Sequence, residues 1–365
     1  MLDFTSALYL GFRHGSKSLH PWNRLTLGVP AAVTPPPGTA AVERGLASIQ
    51  GCEGALVGSS TLHLFWDVLG MVASEPVAIL LDDGAYPIAR WGVERAAARG
   101  VPVRRFRHHD RGALERAVRD VTRLGRRPLI VADGLCPGCG GPAPLAAYAA
   151  IARRHGGALL LDDTQSLGIL GSGPTAQRPY GGGGGGSVRH AAIEGPGVLV
   201  VASLAKGFGV PLAALSGTLG VIRKFEARSE TRVHCSPPAI PLLLAAMNAL
   251  QWNTSEGETR RAALCARVRE FRRQMRDGGW TVNGGYFPVQ TLTGLPPNHA
   301  AEIHQALLRR GVRSVLHMAR APKSAAISFL LTARHTAEEI SLGTRVIVDV
   351  FSAMARSEPG ARVRS

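Results

Sequence analysis

Lys206 is the side chain whose position most clearly predicts chemistry. Only four of the 42 Lys and Arg residues are lysines, and Lys206 follows the apolar run Val198–Val201 and precedes Gly207, Phe208 and Gly209. A lysine at the end of a buried strand can reach a cavity, where desolvation lowers its pKa and frees the amine for imine chemistry. The segment alone fits equally well an exposed loop lysine that follows a core strand.

Two aspartates end a second apolar run. Ala158–Leu161 predicts a strand buried on both faces, and Asp162, Asp163 and Gln165 follow it. In parallel α/β sheets, ligands bind at the carboxyl ends of the strands. A carboxylate there can pair with the ring nitrogen of pyridoxal phosphate (PLP), keep that nitrogen protonated, and so maintain the ring as an electron sink. The alternative is that Asp162 or Asp163 only caps the following turn or helix.

These segments resemble the α-oxoamine synthases, a family of PLP enzymes that includes 8-amino-7-oxononanoate synthase and 2-amino-3-ketobutyrate CoA ligase. Asp162–Gly168 resembles the family's Asp-x-Ala-His-(Ser/Gly)-x-Gly pattern, and Ser203–Gly209 resembles its Thr-x-(Gly/Ala)-Lys-(Gly/Ala)-x-Gly pattern. Leu8–Gly11 is similar to its Asn-(Asp/Asn)-Tyr-Leu-Gly segment, and Gly134 with Ala143–Leu145 is similar to its Glu-Gly and Ala-Pro-Leu segments. The resemblance covers nearly the whole chain.

The resemblance implies a role for each matching side chain. Lys206 would carry the cofactor through a Schiff base, and Asp162 would pair with the pyridine nitrogen. Gln165 stands where the family has a histidine that bonds the phenolic oxygen, and its amide can donate there but cannot carry charge. Tyr86 stands where the family has a histidine stacked on the cofactor ring, and it keeps a flat apolar face. We therefore expect Lys206, Asp162 and Tyr86 to be catalytic.

Hydroxyl groups are expected to hold the cofactor phosphate. Ser60 and Thr61 match the family's Ser-Gly turn at a helix start, where free backbone N–H groups receive a phosphate. Ser203 would add a further hydroxyl, and Ser236 resembles a segment through which a neighbouring subunit touches the phosphate. No metal ligand is predicted. The expected cofactor-binding residues are Ser60, Thr61, Tyr86, Asp162, Gln165, Ser203, Lys206 and Ser236.

The substrate site departs from the family's pattern. The family holds an amino-acid carboxylate with an asparagine before Tyr-Leu-Gly and an arginine near the C-terminus, and this chain has Ala7 or Leu8 and Ser328 in those places. Serine cannot replace an arginine fork that bonds both carboxylate oxygens. Either Arg320 or Arg334 restores the contact, or the substrate presents no carboxylate.

Strand-like and helical runs alternate up to Pro237, which predicts a mainly parallel sheet. The predicted strands are Gly54–Val57, Val77–Leu81, Val101–Phe106, Leu129–Ala132, Ala158–Leu161 and Val198–Val201, followed by an antiparallel strand within Ala213–Ile222. Ser324–Thr332 is expected to be a strand of a smaller domain. The resemblance implies an α/β PLP-dependent transferase fold of type I, with a mainly parallel seven-stranded sheet and a small α+β C-terminal domain. We expect an N-terminal arm at 1–28, a large PLP-binding domain at 29–255 and the small domain at 256–365.

Two further motifs suggest specific sites but are more simply explained. Gly181–Gly186 is expected to be a mobile surface loop that acts as a linker, because six glycines in a row cannot wrap a phosphate without helix context. Cys136 and Cys139 have the CxxC spacing of zinc and dithiol sites, but no second Cys or His pair accompanies them to complete four ligands. We therefore expect neither a nucleotide-binding loop nor a metal or redox site.

The composition predicts a soluble enzyme subunit. The formal net charge is +16, but the arginines are spread along the chain among acidic residues, which predicts no nucleic-acid partner. No stretch approaches the roughly 18 apolar residues of a membrane helix, and the N-terminus has no apolar signal core. We therefore expect a cytoplasmic protein with no membrane partner, whose five scattered cysteines are free thiols. The resemblance also implies a homodimer.

The first hypothesis for the function is the acyl transfer that the resemblance implies. An acyl thioester, either acyl-CoA or an acyl carrier protein, would acylate a small-molecule amino acid or amine with decarboxylation, and a positive surface would attract such acidic donors. The second hypothesis is amino-group transfer or another PLP reaction on a substrate without the usual carboxylate clamp, in keeping with Gln165 and Tyr86. The third is a non-catalytic protein of the same fold, against which the intact Lys206 and Asp162 argue.

Overall fold

The computed structural model describes residues 1–19, 24–318 and 325–357. Arg320 and Ser324, both named in the sequence analysis, lie outside the described residues. By their contacts the residues divide into a larger unit, Phe12–Gly138 with Pro142–Glu258, and a smaller unit, Met1–Gly11 with Cys139–Gly141 and the chain from Thr259 onwards. Part of the expected N-terminal arm thus belongs to each unit, and the three-part domain division stays a prediction.

The elements follow one another as alternating strands and helices through the larger unit. In chain order the strands are β1 (Leu2–Asp3), β2 (Gly54–Gly58), β3 (Val77–Asp82), β4 (Val103–Phe106), β5 (Arg127–Asp133), β6 (Ala158–Asp162), β7 (Val198–Ser203), β8 (Ala213–Gly217), β9 (Val289–Leu295), β10 (Val312–Arg313), β11 (Val315–Met318) and β12 (Ala325–Leu330). The α-helices are α1 (Thr39–Gln50), α2 (Thr61–Met71), α3 (Pro87–Ala98), α4 (Arg111–Arg123), α5 (Leu145–Arg154), α6 (Ser187–His190), α7 (Leu219–Arg228), α8 (Glu230–His234), α9 (Ile240–Ser255), α10 (Gly257–Asp277), α11 (Pro297–Arg309) and α12 (Ala337–Ser357). Short 3-10 turns lie at Ser16–Leu19 and Val72–Ser74.

Seven of the described strands form the sheet of the larger unit, in the order β2-β8-β7-β6-β5-β3-β4. Strands β4, β3, β5, β6 and β7 run parallel, and β8 pairs antiparallel with both β7 and β2. The predicted mainly parallel sheet with an antiparallel return after Lys206 is confirmed. Strand β8 ends at Gly217, short of the predicted Ile222, because the Thr218 side chain caps helix α7 and turns the chain away.

Both faces of this sheet are buried at its centre, which explains why strands β3, β5, β6 and β7 are apolar along most of their length. Ile79, Leu81 and Val131 pack into a core with side chains of α2 and α3, while Leu80 and Ile130 pack into a second core with those of α4 and α5. The alternation is that of a pleated strand, whose successive side chains point to opposite faces. Polar residues are therefore placed where the strands end, and β3, β5, β6 and β7 end in Asp82, Asp133, Asp162 and Ser203.

The smaller unit contains an antiparallel sheet in the order β11-β12-β9 and a short parallel pair formed by β1 and β10. Phe4, Phe271 and Phe329 are fully buried and pack edge-on or tilted, with ring centroids 5.6–6.2 Å apart. The aromatic cluster joins the first residues of the chain to helix α10 and strand β12 of the same unit. The predicted strand around Ser328 is confirmed.

None of the helices in the described residues is long and apolar enough to cross a bilayer.

The Gly181–Gly186 run is packed, so the expectation of a mobile surface linker is wrong. Gly182 pairs with Ser172 and Gly185 with Leu167 in β-bridges, and Gly184 to Gly186 are buried. A Cβ at position 186 would overlap Oδ2 of Asp163, and one at position 185 would overlap the carbonyl oxygen of Ile49. Glycine is required here by close approach and by positive φ, not by flexibility.

We expect Gly186→Ala to destabilise the protein much more than Gly183→Ala. Both glycines have positive φ, +91° at Gly186 and +84° at Gly183, so backbone strain of about 1–3 kcal/mol applies to both changes, and the ψ of −172° at Gly186 lies in a region essentially confined to glycine. A new Cβ meets Asp163 only at position 186, since at position 183 it meets nothing within 4 Å. Urea unfolding measures both losses in free energy of unfolding, and equal losses would contradict the close contact with Asp163.

Candidate active site

A cavity of about 180 Å³ lies at the carboxyl ends of the parallel strands. Its walls include most of the residues singled out from the sequence. Strands β6 and β7 contribute Asp162 and Ser203, and the segments that follow them contribute Gln165 and Lys206. The predicted site residues that line the cavity are Thr61, Tyr86, Asp162, Gln165, Ser203 and Lys206.

Two predicted phosphate ligands lie elsewhere. Ser60 precedes Thr61 as the N-cap of helix α2, and its hydroxyl accepts a hydrogen bond from the backbone N–H of His63 at 3.4 Å. Ser236 lines a separate, water-sized cavity of about 20 Å³, where its carbonyl oxygen accepts a hydrogen bond from the Ser59 hydroxyl at 2.9 Å. Contact of Ser60 or Ser236 with a phosphate stays a prediction.

Thr164 holds the ends of strands β6 and β7 together. Its backbone N–H donates to Oδ1 of Asp162 at 3.0 Å, and its hydroxyl oxygen accepts from the backbone N–H of Ser203 at 3.0 Å. The side chain also lines the cavity. Thr164 therefore fixes the Asp162 carboxylate relative to the strand that leads to Lys206.

The turn that carries Lys206 lies directly against the turn that follows Asp162. A Cβ on Gly207 would overlap the carbonyl oxygen of Leu167, and Gly168 has φ of +86° and lies close to Gly207. The fully buried Phe208 packs beside them. The glycines of both sequence motifs are thus explained by one contact, which brings the two motifs together.

Burial sets the protonation of the amine and the carboxylate. Desolvation lowers the pKa of Lys206, and the negative charges of Asp162 and Asp133 act in the opposite direction. Burial likewise raises the pKa of Asp162, while hydrogen bonds from Thr164 and the charge of Lys206 favour its ionised form. The site therefore combines an amine that can act as a nucleophile with a carboxylate whose negative charge is stabilised by Thr164 and Lys206.

Asp133 is the site residue that the sequence analysis missed. It ends strand β5 directly beside Asp162, since the two residues are register partners in neighbouring parallel strands, and it lines the same cavity. Its Oδ1 accepts a hydrogen bond from the backbone N–H of Tyr86 at 3.0 Å. Burial, reinforced by the charge of Asp162, raises the pKa of Asp133 to about 8. The same signal that singled out Asp162, an aspartate that ends a buried apolar run, was present at Asp133.

The second aspartate of the Asp162–Asp163 pair has a structural role. Asp163 is fully buried and accepts hydrogen bonds from both the hydroxyl and the backbone N–H of Ser187, the latter at 3.0 Å. Burial raises its pKa to about 7, and the bonds from Ser187 act against that rise. Asp163 therefore caps the start of helix α6, which lies far along the chain, while Asp162 faces the cavity.

Ser328 and Arg334, which the sequence analysis compared with the family's carboxylate clamp, lie in the smaller unit. Ser328 is buried, and its hydroxyl forms hydrogen bonds with Thr291 Oγ1 at 2.7 Å and with His317 Nε2 at 2.9 Å. Burial lowers the pKa of His317, which favours the neutral ring. Arg334 is exposed and packs across Gly11 of the same unit. Ser328, Thr291 and His317 therefore form a hydrogen-bonded cluster without a charged side chain.

Comparison with known proteins identifies the family. Residues 30–341 match the model of the family described as aminotransferase class I and II. The chain belongs to this family.

Curated relatives are identical to the chain at about a quarter of the aligned residues. The 8-amino-7-oxononanoate synthase of Alkalilimnicola ehrlichii is 28% identical over 82% of this chain and 73% of its own length. The enzyme of the same name from Halorhodospira halophila is 28% identical over 87% of this chain and 75% of its own length. The match to the Methylobacillus flagellatus enzyme, at 25% identity, covers 65% of this chain and 57% of that relative.

Solved structures show the same fold at lower identity. The serine palmitoyltransferase of Sphingomonas wittichii has a TM-score of 0.82 and 19% identity, over 97% of this chain and 88% of that one. The 8-amino-7-oxononanoate synthase of Francisella tularensis has a TM-score of 0.74 and 18% identity, over 97% of this chain and 98% of that one. The predicted PLP-dependent transferase fold of type I and the resemblance to α-oxoamine synthases are confirmed.

The donor set of the cavity fits PLP, the cofactor of this family. Lys206 supplies an amine of lowered pKa for the aldehyde, and Asp162 supplies a carboxylate for the ring nitrogen. Thr61 and Ser203 supply hydroxyls for the phosphate, and Thr61 also begins helix α2, whose first N–H groups favour an anion. The chain is therefore a PLP-dependent transferase.

We expect the amine of Lys206 to lose its proton at a lower pH than the amine of an ordinary lysine. Lys206 is desolvated, and desolvation disfavours the charged amine. Competitive acetylation of the full-length chain without cofactor, followed by peptide mass spectrometry across pH, gives the midpoint for Lys206, and a lysine-containing peptide in the same mixture gives the ordinary value. Asp162→Asn should lower the Lys206 midpoint further and leave that of the peptide unchanged. Coincident midpoints for Lys206 and the peptide would refute the desolvated site.

Proposed function

We propose that this chain catalyses an α-oxoamine synthase-like reaction, the acyl transfer from an acyl thioester to an amino acid, with decarboxylation, or to an amine. The observation that carries the proposal is the placement of Lys206 and Asp162 on the walls of one cavity at the strand ends. The similarity to enzymes named 8-amino-7-oxononanoate synthase, which extends over most of the chain, supports this reaction class.

The residues of the cavity divide the work of binding. When bound, PLP supplies an electron sink for negative charge at the substrate carbon next to the amine. Asp162 would hold a proton on the ring nitrogen, and Thr61 with Ser203 would hold the phosphate. Tyr86 would cover one face of the ring, with its backbone fixed by Asp133. Gln165 would donate a neutral hydrogen bond to the phenolic oxygen.

Lys206 is also the residue best placed to move a proton at the substrate. Its side chain lines the cavity in which the cofactor and the reacting carbon would lie. Because burial lowers its pKa, a larger fraction of the amine is neutral near pH 7 than for an ordinary lysine. A neutral amine can accept a proton, so Lys206 would act as a general base.

The acyl donor is proposed to be acyl-CoA or an acyl carrier protein. Both are anionic, and the net charge of +16 favours their approach through long-range attraction. The amine substrate is left open between an amino acid, which would lose carbon dioxide, and an amine without a carboxylate, which would lose only a proton from the reacting carbon. Ser328, which the resemblance places at the family's carboxylate clamp, offers no fork to a carboxylate, and this favours the latter.

Amino-group transfer is the second candidate function. It is favoured by the departure from the family's carboxylate clamp at Ser328, because that departure indicates an altered substrate. Gln165 and Tyr86, in place of two histidines, alter the acid-base groups around the ring in a way that fits a different reaction on the same scaffold.

We further propose a cytoplasmic homodimer. Leu62, Trp66 and Trp91 are exposed by 36–49% on helices α2 and α3, which pack against each other. An interface between two copies of the chain would cover them. Light scattering should give twice the mass of one chain, and replacement of both tryptophans by serine should halve it.

Thiol release from acyl-CoA in the presence of amino acids and amines tests the acyl transfer. Lys206→Ala should abolish it, and Asp162→Asn should lower kcat by about 10²–10³, the range for loss of one electrostatic contact to developing charge. Lys224→Ala is the matched control, since that lysine pairs with Glu75 on the surface and should keep full activity.

The products distinguish the two functions. Acyl transfer to the carbon next to the amine yields free thiol and an α-amino ketone, together with carbon dioxide when the substrate is an amino acid, whereas amino transfer yields the aminated cofactor and a keto product without thiol. Amino transfer without thiol release, across a range of acyl chain lengths and carrier proteins, would replace the first proposal by the second.

A further inference from the structure

The cavity holds more carboxyl groups than its cation can balance. Among the described residues that line it, Asp133 and Asp162 are acidic and Lys206 is basic, while the others carry hydroxyl, amide or apolar side chains. Two carboxylates side by side in a desolvated site repel each other, and one buried amine compensates one of them. A proton on one carboxyl of the pair removes this repulsion.

The position of Lys206 decides which carboxyl it is. Asp162 and Asp133 each accept one backbone hydrogen bond, from Thr164 and from Tyr86, both at 3.0 Å. Lys206 follows strand β7, which lies next to β6 in the sheet, with β5 on the far side of β6, and the charge of Lys206 favours the ionised form of Asp162. Ionisation is therefore better supported at Asp162, and the proton of the pair resides on Asp133.

The groups packed around Asp133 favour the same assignment. Asp82 ends the neighbouring strand β3 on the opposite face of the sheet, where its carboxylate accepts a hydrogen bond from the Tyr148 hydroxyl at 3.2 Å and lies 2.6 Å from His108 Nδ1. Asp82 and Asp162 both disfavour a charge on Asp133, and His108 favours one. Lys206 follows strand β7, which pairs with the strand that carries Asp162.

We propose that Asp133 is the proton-carrying carboxyl of this site, neutral in the working enzyme, with Oδ1 holding the backbone of Tyr86 and Oδ2 donating a hydrogen bond into the cavity. A neutral carboxyl can donate to an acceptor oxygen of a bound molecule, which an ionised one cannot. This inference rests on the proposed function only in requiring that PLP bind the cavity, and not on the identity of the acyl donor.

Infrared spectroscopy of the PLP-loaded protein tests the protonation directly. The difference between wild type and Asp133→Asn at neutral pH should contain the carbonyl stretch of a protonated carboxyl, which disappears as the pH rises through about 8. Asp83→Asn is the matched control, because Asp83 follows the neighbouring strand end but is exposed and paired with Arg105. A wild-type difference spectrum without that band overturns the proposal.

The visible absorbance of the bound cofactor gives a second readout. Ionisation of Asp133 places a negative charge beside the cofactor, so the band should shift with a midpoint at about pH 8 in wild type and in Asp83→Asn. The shift should be absent in Asp133→Asn, which stays neutral and still accepts from the Tyr86 backbone. An unchanged shift in Asp133→Asn overturns the assignment.

Thermal unfolding without cofactor separates this inference from the proposed function. The folded chain keeps the Asp133 proton up to about pH 8, whereas the unfolded chain releases it near pH ~3.9. Wild-type stability should therefore fall with pH across this window relative to Asp133→Asn, and the difference should level off above it. A constant difference overturns the proposal, whether or not acyl transfer is found.

If Asp133→Asn does not fold, Asp133→Glu decides. Glutamate keeps the titrating group but moves it, so the infrared band and the midpoint of the visible shift should both move relative to wild type. Identical bands and midpoints would show that another group titrates, and would overturn the proposal.

Discussion

The burial of one amine beside two carboxyls, at the ends of neighbouring parallel strands, is the constraint on which the rest of the site depends. Taking such groups out of water costs several kcal/mol each unless they neutralise, pair or receive hydrogen bonds. The two apolar cores on the faces of the sheet hold strands β5 and β6 in the register that sets Asp133 beside Asp162. The electrostatics of the site are thus imposed by the packing of the sheet.

Close backbone contacts, rather than bulky side chains, place the reactive turn. Gly207 lies against Leu167, and the buried Asp163 holds Ser187 at the end of the glycine-rich segment. Any side chain at Gly207 would displace the turn that presents Lys206. The two neighbouring aspartates therefore have different roles at one strand end. Asp162 faces the cavity, and Asp163 anchors the segment that leads to Ser187.

Local sequence patterns predicted the structural features that are determined by residues close together in the chain. Apolar runs gave the strands, and the glycines around Lys206 and the polar residues after Leu161 gave the position of the site. Contacts between distant segments were not accessible in this way. The packing of Gly185 against Ile49 could not be inferred from a run of glycines, and the neutral form of Asp133 depends on which strands are neighbours in the sheet.

The replacement of two family histidines changes where protons can reside. Gln165 carries an amide and Tyr86 a phenol, so neither supplies the imidazole that exchanges a proton near pH 7. Burial moves Lys206 and Asp133 towards that range from opposite directions, the amine downwards and the carboxyl upwards. Acid-base function that a histidine would supply in the related enzymes is therefore left, in this cavity, to an amine and a carboxyl whose pKa values are set by desolvation.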